Sequence, residues 1–149
     1  MKNLKLSIIT FFLIIGCSNS KPEETEIKNE KRTENASDIG IGPIKKVEIS
    51  KEIDIKLVKK GEEIFNLKCS ACHKLEERYV GPPIKGITKR RKPEWIMNMI
   101  LNPVEMTQKD PIAKQLLSEY LTQMTFQDVK EDEARAILEY FRYVDKEVK

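Results

Sequence analysis

The chain has 149 residues, of which 40% are hydrophobic and 34% are charged, with 27 Lys and Arg residues against 24 Asp and Glu residues. This length suits one ordinary domain with some additional chain. The composition excludes a collagen, a silk, a polytopic membrane protein and a wholly disordered chain. The net charge of +3 is too small to indicate nucleic-acid binding, so the three cysteines and the single histidine are the most informative residues.

Residues 1–16 have the pattern of a signal peptide. Two lysines precede a run of roughly ten mostly apolar residues, which is too short to span a bilayer core of about 30 Å. The run ends in Ile-Ile-Gly-Cys at Cys17, which resembles the bacterial lipobox, whose cysteine is diacylated and becomes the new N-terminus. We therefore predict a lipoprotein that is anchored to a membrane and faces the periplasm or the cell exterior. The alternative is an uncleaved anchor or an ordinary secretory signal with an unrelated cysteine.

Residues 17–54 are predicted to form the acylated, flexible tether that follows the signal peptide. From residue 18 to residue 54 the chain is rich in Lys, Glu, Asn, Ser and Thr and contains no aromatic residue, so it cannot bury much apolar surface. A loose alternation of aliphatic residues between Ile39 and Ile49 leaves an alternative open. In that alternative, a short extended piece packs on the following domain.

From residue 55 onward the apolar residues recur at helical spacing, and no stretch alternates convincingly as a strand. We predict four short helices, at about 55–69, 93–102, 111–121 and from about 131. Pro93 and Pro111 suit the first helical position, and Asp110 suits an N-cap. Because four short helices give only a thin core, we expect another group to occupy the centre of the domain. The inward-facing residues are predicted to be Leu57, Gly61, Ile64, Phe65, Trp95, Ile96, Met99, Ile100, Ala113, Leu116, Leu117, Tyr120, Ala134, Ile137, Leu138, Phe141 and Val144.

Cys69, Cys72 and His73 form a C-x-x-C-H sequence, the pattern of covalent haem attachment. Two cysteines about one helical turn apart can reach the two vinyl groups on one porphyrin edge, and the next residue can direct its imidazole at the iron. A zinc site is an alternative, but the chain offers no fourth Cys or His ligand once Cys17 is acylated. A redox dithiol and a plain disulfide are further alternatives; the first lacks a βαβ context, and the second leaves His73 unexplained.

Around this motif, residues 55–146 resemble the class I c-type cytochromes. In that family a glycine and an aromatic residue of the first helix, here Gly61 and Phe65, contact the last helix, where Tyr140 is the expected aromatic partner. Residues 80–86 are similar to the family's Gly-Pro-x-Leu-x-Gly loop. The resemblance implies an all-α cytochrome c domain over residues 55–149 with one covalent haem c. It also implies that the carbonyl of Pro82 accepts a hydrogen bond from the imidazole of His73, which fixes the ring and raises its basicity.

The resemblance also implies a methionine as second iron ligand, in the loop before the last helix. Met124 occupies that position, but Thr125 follows it where the family usually has proline. Met106 is an alternative, as is an iron without a second protein ligand. Met97 and Met99 lie within a predicted helix, where methionine is more often a core residue than a ligand.

Residues 89–92 form the densest basic run of the chain. One interpretation is a solvated surface. In the other, Arg90, Arg91 and the indole N–H of Trp95 bind the haem propionates, and the remaining charge attracts acidic redox partners.

Together these features predict a membrane-anchored monohaem cytochrome c that is not an enzyme and transfers single electrons between respiratory proteins outside the cytoplasm. The expected partners are proteins such as a quinol-oxidising complex, a terminal oxidase or a denitrification reductase, and nucleic acid is not expected. One alternative is a haem-based sensor or weak peroxidase with an open distal site, which the absence of proline after Met124 favours. Another is an accessory cytochrome subunit of a larger respiratory complex.

Overall fold

The computed structural model describes residues 36–147, and the predictions for residues 1–35, including the signal peptide and Cys17, lie outside them. Within 36–147 every regular element is helical, which confirms the predicted all-α fold. None of these described helices is long and apolar enough to cross a membrane. The elements are a 3₁₀ turn at Ala36–Ile39 and helices α1 Ile55–Lys68, α2 Ile87–Arg90, α3 Pro93–Leu101, α4 Pro103–Lys109, α5 Pro111–Tyr120 and α6 Glu131–Glu147.

The helix starts follow local signals in the sequence. The side chain of Asp54 caps α1 by accepting hydrogen bonds from the backbone N–H groups of residues 56 and 57, at 2.8 and 3.2 Å. Asp110 caps α5 in the same way, at 2.8 Å from the N–H of Ala113. Helices α2 and α4 were not predicted. Pro103, just beyond the end of α3, is the first residue of α4, because proline at the first helical position loses no intrahelical hydrogen bond.

Helices α1 and α6 cross at a contact that requires glycine. A Cβ atom on Gly61 would lie 2.1 Å from the carbonyl oxygen of Ala136, so only a residue without a side chain permits this approach. One turn later, Phe65 packs against two neighbouring aromatic rings of α6, with centroid distances of 5.7 Å to both Tyr140 and Phe141. The helix pair expected from the resemblance is therefore present, and Phe65 has two aromatic partners there instead of one.

Residues 36–54, the described part of the predicted tether, pack on the domain and do not form a flexible tether. Ile44 is buried in the core, and four more aliphatic residues between 41 and 53 pack against the core. We call residues 40–53 the N-terminal segment. The buried side-chain amide of Asn98 holds it through two hydrogen bonds of 2.9 Å with Ile44: its Nδ2 donates to the carbonyl, and its Oδ1 accepts from the backbone N–H. Nδ2 also donates to the carbonyl of Ile39, just before the segment, at 2.8 Å. The N-terminal segment thus agrees with the alternative prediction, in which a short piece packs on the domain. Residues 17–35 of the predicted tether lie outside the described residues.

Candidate functional site

An apolar cleft runs between the helices where a compact domain would have a filled centre. The space between its walls amounts to about 1160 Å³, which includes space that is open to solvent. All the long helices contribute to its walls. The residues that line it include Phe65, Cys69, Cys72, His73, Val80, Pro82, Ile84, Trp95, Met99, Ile100, Ala113, Leu116, Leu117, Tyr120, Met124, Ile137 and Phe141.

The cysteine motif begins where α1 ends. The N–H of Cys69 still donates to a carbonyl of α1, and the N–H groups of Cys72 and His73 both donate to the carbonyl of Cys69, at 3.0 and 2.9 Å. This tight turn brings both cysteines and the histidine to one wall of the cleft. Cys69 is half-buried and Cys72 is exposed. Burial raises the pKa of the Cys69 thiol to about 11, so in the absence of a bond to another group it remains protonated at neutral pH.

His73 is held in one orientation by the loop that follows it. Its Nδ1 lies 3.0 Å from the carbonyl oxygen of Pro82, so Nδ1–H donates and Nε2 keeps a lone pair for another ligand. Gly81 passes directly beside the ring: a Cβ there would lie 2.5 Å from the Cε1 atom of His73. The N–H of Gly81 also donates to the carbonyl of Cys72 at 2.8 Å, which connects the loop to the motif.

The basic residues predicted to bind propionates have other contacts. The guanidinium of Arg90 donates to the carbonyls of Lys85 and Pro83, at 2.8 and 3.3 Å, and so braces the loop that holds His73. Arg91 lies over the ring of Trp95, 5.4 Å from its centroid. Neither arginine is among the residues that line the cleft. The binding of propionates by Arg90 and Arg91 therefore stays a prediction.

Trp95 lines the cleft, but its N–H is already used. Its Nε1 donates to Asp110 Oδ1 at 3.2 Å, and both side chains are buried. Since Asp110 also caps α5, this bond connects α3 to the start of α5. The indole therefore supports the wall of the cleft and has no N–H to offer a propionate, in contrast to the prediction.

The structure separates the candidate methionines. Met124 is half-buried and lines the same cleft as His73. Met106 is fully buried elsewhere, where its sulfur accepts a hydrogen bond of 2.9 Å from the N–H of Ile41. Met97 is buried outside the cleft, and Met99 lines the cleft from α3. The geometry thus brings the favoured ligand to the histidine's cleft and gives the alternative, Met106, a core role.

Two residues that line the cleft, Thr107 and Gln123, have no signal in the sequence. Thr107, on the unforeseen helix α4, is only 5% exposed and lines the cleft beside Gln123. Nε2 of Gln123 donates a hydrogen bond of 2.8 Å to the hydroxyl oxygen of Thr107. Arg78 contacts Tyr120, which lines the cleft: its guanidinium lies 4.2 Å from the centroid of that ring and donates to the carbonyl of residue 119 at 2.8 Å. These contacts join loops to helices that are distant in sequence, so spacing alone cannot reveal them.

These residues fit a covalently attached haem. The walls are apolar, two thiols and an imidazole with an available Nε2 lie on one side, and a thioether lines the same cleft. A zinc site fits less well, because no group of three or more His, Cys, Asp and Glu side chains within 36–147 is arranged to hold a metal ion.

Comparisons with known proteins agree with this chemistry. The cytochrome c family matches residues 58–145. Among solved structures, a cytochrome c from Rhodothermus marinus is 48% identical, with a TM-score of 0.71 over 74% of this chain and 94% of that one. An engineered form of that protein is 47% identical with a TM-score of 0.69, and its complex with a carbene intermediate is 46% identical with a TM-score of 0.67, both with the same coverage. No curated protein matches the chain.

Proposed function

The chain belongs to the cytochrome c family, whose members bind one covalent haem c, and from this premise we propose that it is a lipid-anchored carrier of single electrons outside the cytoplasm. The bound haem supplies an iron that gains and loses one electron. The chain's own part is to hold that group through Cys69 and Cys72, and to ligate its iron through His73 and Met124.

The observation that supports electron transfer most strongly is the pairing of His73 and Met124 on one cleft. With both side chains bound, the iron would have no open position for oxygen, peroxide or a substrate, which suits the transfer of single electrons. The hydrogen bond from His73 to Pro82 makes the imidazole a stronger and better-oriented ligand. A thioether ligand raises the potential, so we expect a more positive midpoint than two imidazoles would give.

Replacement of Met124 by alanine tests this ligand set in the holoprotein. We expect Met124→Ala to abolish the weak absorbance band of sulfur-ligated ferric haem at the red end of the visible spectrum, and to lower the midpoint potential. Met99→Ala is the matched control, since Met99 lines the same cleft from a helix. The ligand assignment is wrong if the band persists in Met124→Ala. Rapid binding of carbon monoxide to the wild-type ferrous protein would instead favour the sensor or weak peroxidase.

The membrane anchor rests on the sequence at Cys17. We expect Cys17→Ser, with residues 1–16 replaced by an ordinary cleavable secretory signal, to move from the membrane fraction to the soluble fraction, because the acyl chains on Cys17 are the only proposed anchor of the mature chain. Ser20→Ala is a control with a comparable change nearby. Membrane association that persists in Cys17→Ser would exclude a lipid anchor at this residue. Stopped-flow oxidation of the reduced protein by candidate oxidases and reductases would then identify its acceptor.

A further inference from the structure

Met124 lies in a segment that has no regular structure of its own. Residues 121–130 form neither helix nor strand, and two of them, Leu121 and Asp128, have positive φ angles of 53° and 49°. Thr125 follows the methionine, so no proline ring stiffens the backbone at that point. A ligand on such a segment needs other contacts to hold it in place.

Contacts from helices hold the segment at both of its ends. At its far end, Lys68 Nζ donates to the carbonyl of Asp128 at 2.8 Å and lies 3.3 Å from the carboxylate of Glu133, on α6. Near the methionine, Nε2 of Gln123 donates one hydrogen to Thr107 Oγ1 at 2.8 Å and the other to the carbonyl of Met124 at 3.0 Å. We call this second pair of bonds the Gln123 bridge.

The Gln123 bridge ends on a rigid support. Thr107 is buried on α4, and its hydroxyl also lies 3.0 Å from the carbonyl of Pro103, so its oxygen is fixed by its own helix. A neutral side-chain amide thus connects a fixed helical oxygen to the backbone of the residue whose thioether faces the cleft. Opening the segment at Met124 requires that this connection break or move.

We propose that Gln123 and Thr107 are positioning residues that hold Met124 as an iron ligand, in place of the proline that the chain lacks. This proposal rests on the proposed function, in which Met124 ligates the iron. The bridge acts on the backbone of the ligand, so its loss favours an open state in which the sulfur has left the iron and an external ligand can enter.

Imidazole binding to the ferric holoprotein tests the proposal, since imidazole occupies the iron only when Met124 has left it. One neutral hydrogen bond corresponds to roughly a 3- to 10-fold change in an equilibrium constant, so we expect Gln123→Ala and Thr107→Val to bind imidazole about 3- to 10-fold more tightly than wild type. Thr107→Ser keeps the hydroxyl and should bind as wild type does. Gln108→Ala is the matched control, because Gln108 is exposed on the same helix. The double variant should bind little more tightly than Gln123→Ala alone, because both changes break one connection.

Further results distinguish a positioning role of the Gln123 bridge from a general structural role and from a wrong ligand assignment. Wild-type imidazole affinity in both single variants would overturn the positioning role, and so would additive effects in the double variant. Changes that only parallel the loss of global stability in urea would also overturn it, because they would indicate a general structural role. If Met124→Ala keeps the red absorbance band, the ligand assignment itself fails; if that band is lost while the bridge variants behave as wild type, only the bridge proposal fails.

Discussion

Replacement of Gly61 by alanine should destabilise the domain, although the change favours the helix itself. In an exposed helix, alanine is about 1 kcal/mol more favourable than glycine. Here a new Cβ would meet backbone atoms of α6: the carbonyl oxygen of Ala136 at 2.1 Å and its carbonyl carbon at 2.5 Å. Backbone atoms cannot rotate away as a side chain does, so the two helices must separate by about 1 Å in a tightly packed interior.

The clash outweighs the gain in helix propensity. Overpacking in a well-packed interior costs about 1–3 kcal/mol, and contact with backbone belongs at the upper end, which leaves a net loss of about 1–2 kcal/mol. For a domain of this size each kcal/mol corresponds to about 4–8 °C, so we expect the Tm of the holoprotein to fall by about 4–16 °C. Thermal unfolding followed by far-ultraviolet circular dichroism measures this change.

Asn66→Ala provides the control, because Asn66 is exposed on the same helix and gains propensity without a clash. We expect this variant to be as stable as wild type or slightly more stable. A Tm for Gly61→Ala equal to or above that of wild type would show that the helices separate at no cost. That result would contradict the claim that Gly61 is needed for the close approach of α1 and α6.

Three further predictions concern other parts of the domain. Burial alone would raise the pKa of Glu139, but hydrogen bonds from Arg135, from a backbone N–H and from a second arginine outweigh it and lower that pKa. Glu139→Gln should therefore lose about 1–3 kcal/mol in urea unfolding at neutral pH, and the difference from wild type should vanish as the pH falls through the lowered pKa. Asn98→Ala leaves buried backbone groups of the N-terminal segment without partners, so we expect a loss of about 2–4 kcal/mol and faster hydrogen exchange at the amide of Ile44. Gly81→Ala places a methyl group 2.5 Å from the imidazole of His73, so purified protein should carry less haem, as judged from the ratio of haem to protein absorbance.

The sequence predicts the parts of the site that depend on neighbouring residues. Cys69, Cys72 and His73 lie within one turn, so their spacing alone specifies that all three face one group. The four predicted helices correspond to α1, α3, α5 and α6, because each has an apolar period and a recognisable first residue. The contact between α1 and α6 is less local, and it was expected only from the family resemblance at Gly61 and Phe65.

Residues whose role depends on distant partners could not be assigned in this way. In the sequence the indole N–H of Trp95 is a donor without an assigned partner. In the folded structure it donates to the carboxylate of Asp110, fifteen residues later. The sequence likewise shows Arg90 as part of a charged run, whereas the fold directs its guanidinium at two carbonyls of the preceding loop. A polar group in a folded protein binds the nearest suitable partner, and that partner is known only when the packing is known.

The N-terminal segment shows that average composition is a poor predictor of packing where a few residues determine whether a segment is buried. The predicted tether of residues 17–54 is mostly polar, and that average favours an unfolded chain. Yet Ile44 is buried, and Asn98 supplies the hydrogen bonds that the backbone around Ile44 would otherwise lose. The same segment covers Met106, whose sulfur accepts a bond from residue 41 and which therefore remains in the core. Met106, which the sequence allowed as an iron ligand, is thus a core residue because the N-terminal segment covers it. The favoured prediction had placed that segment in a tether outside the domain.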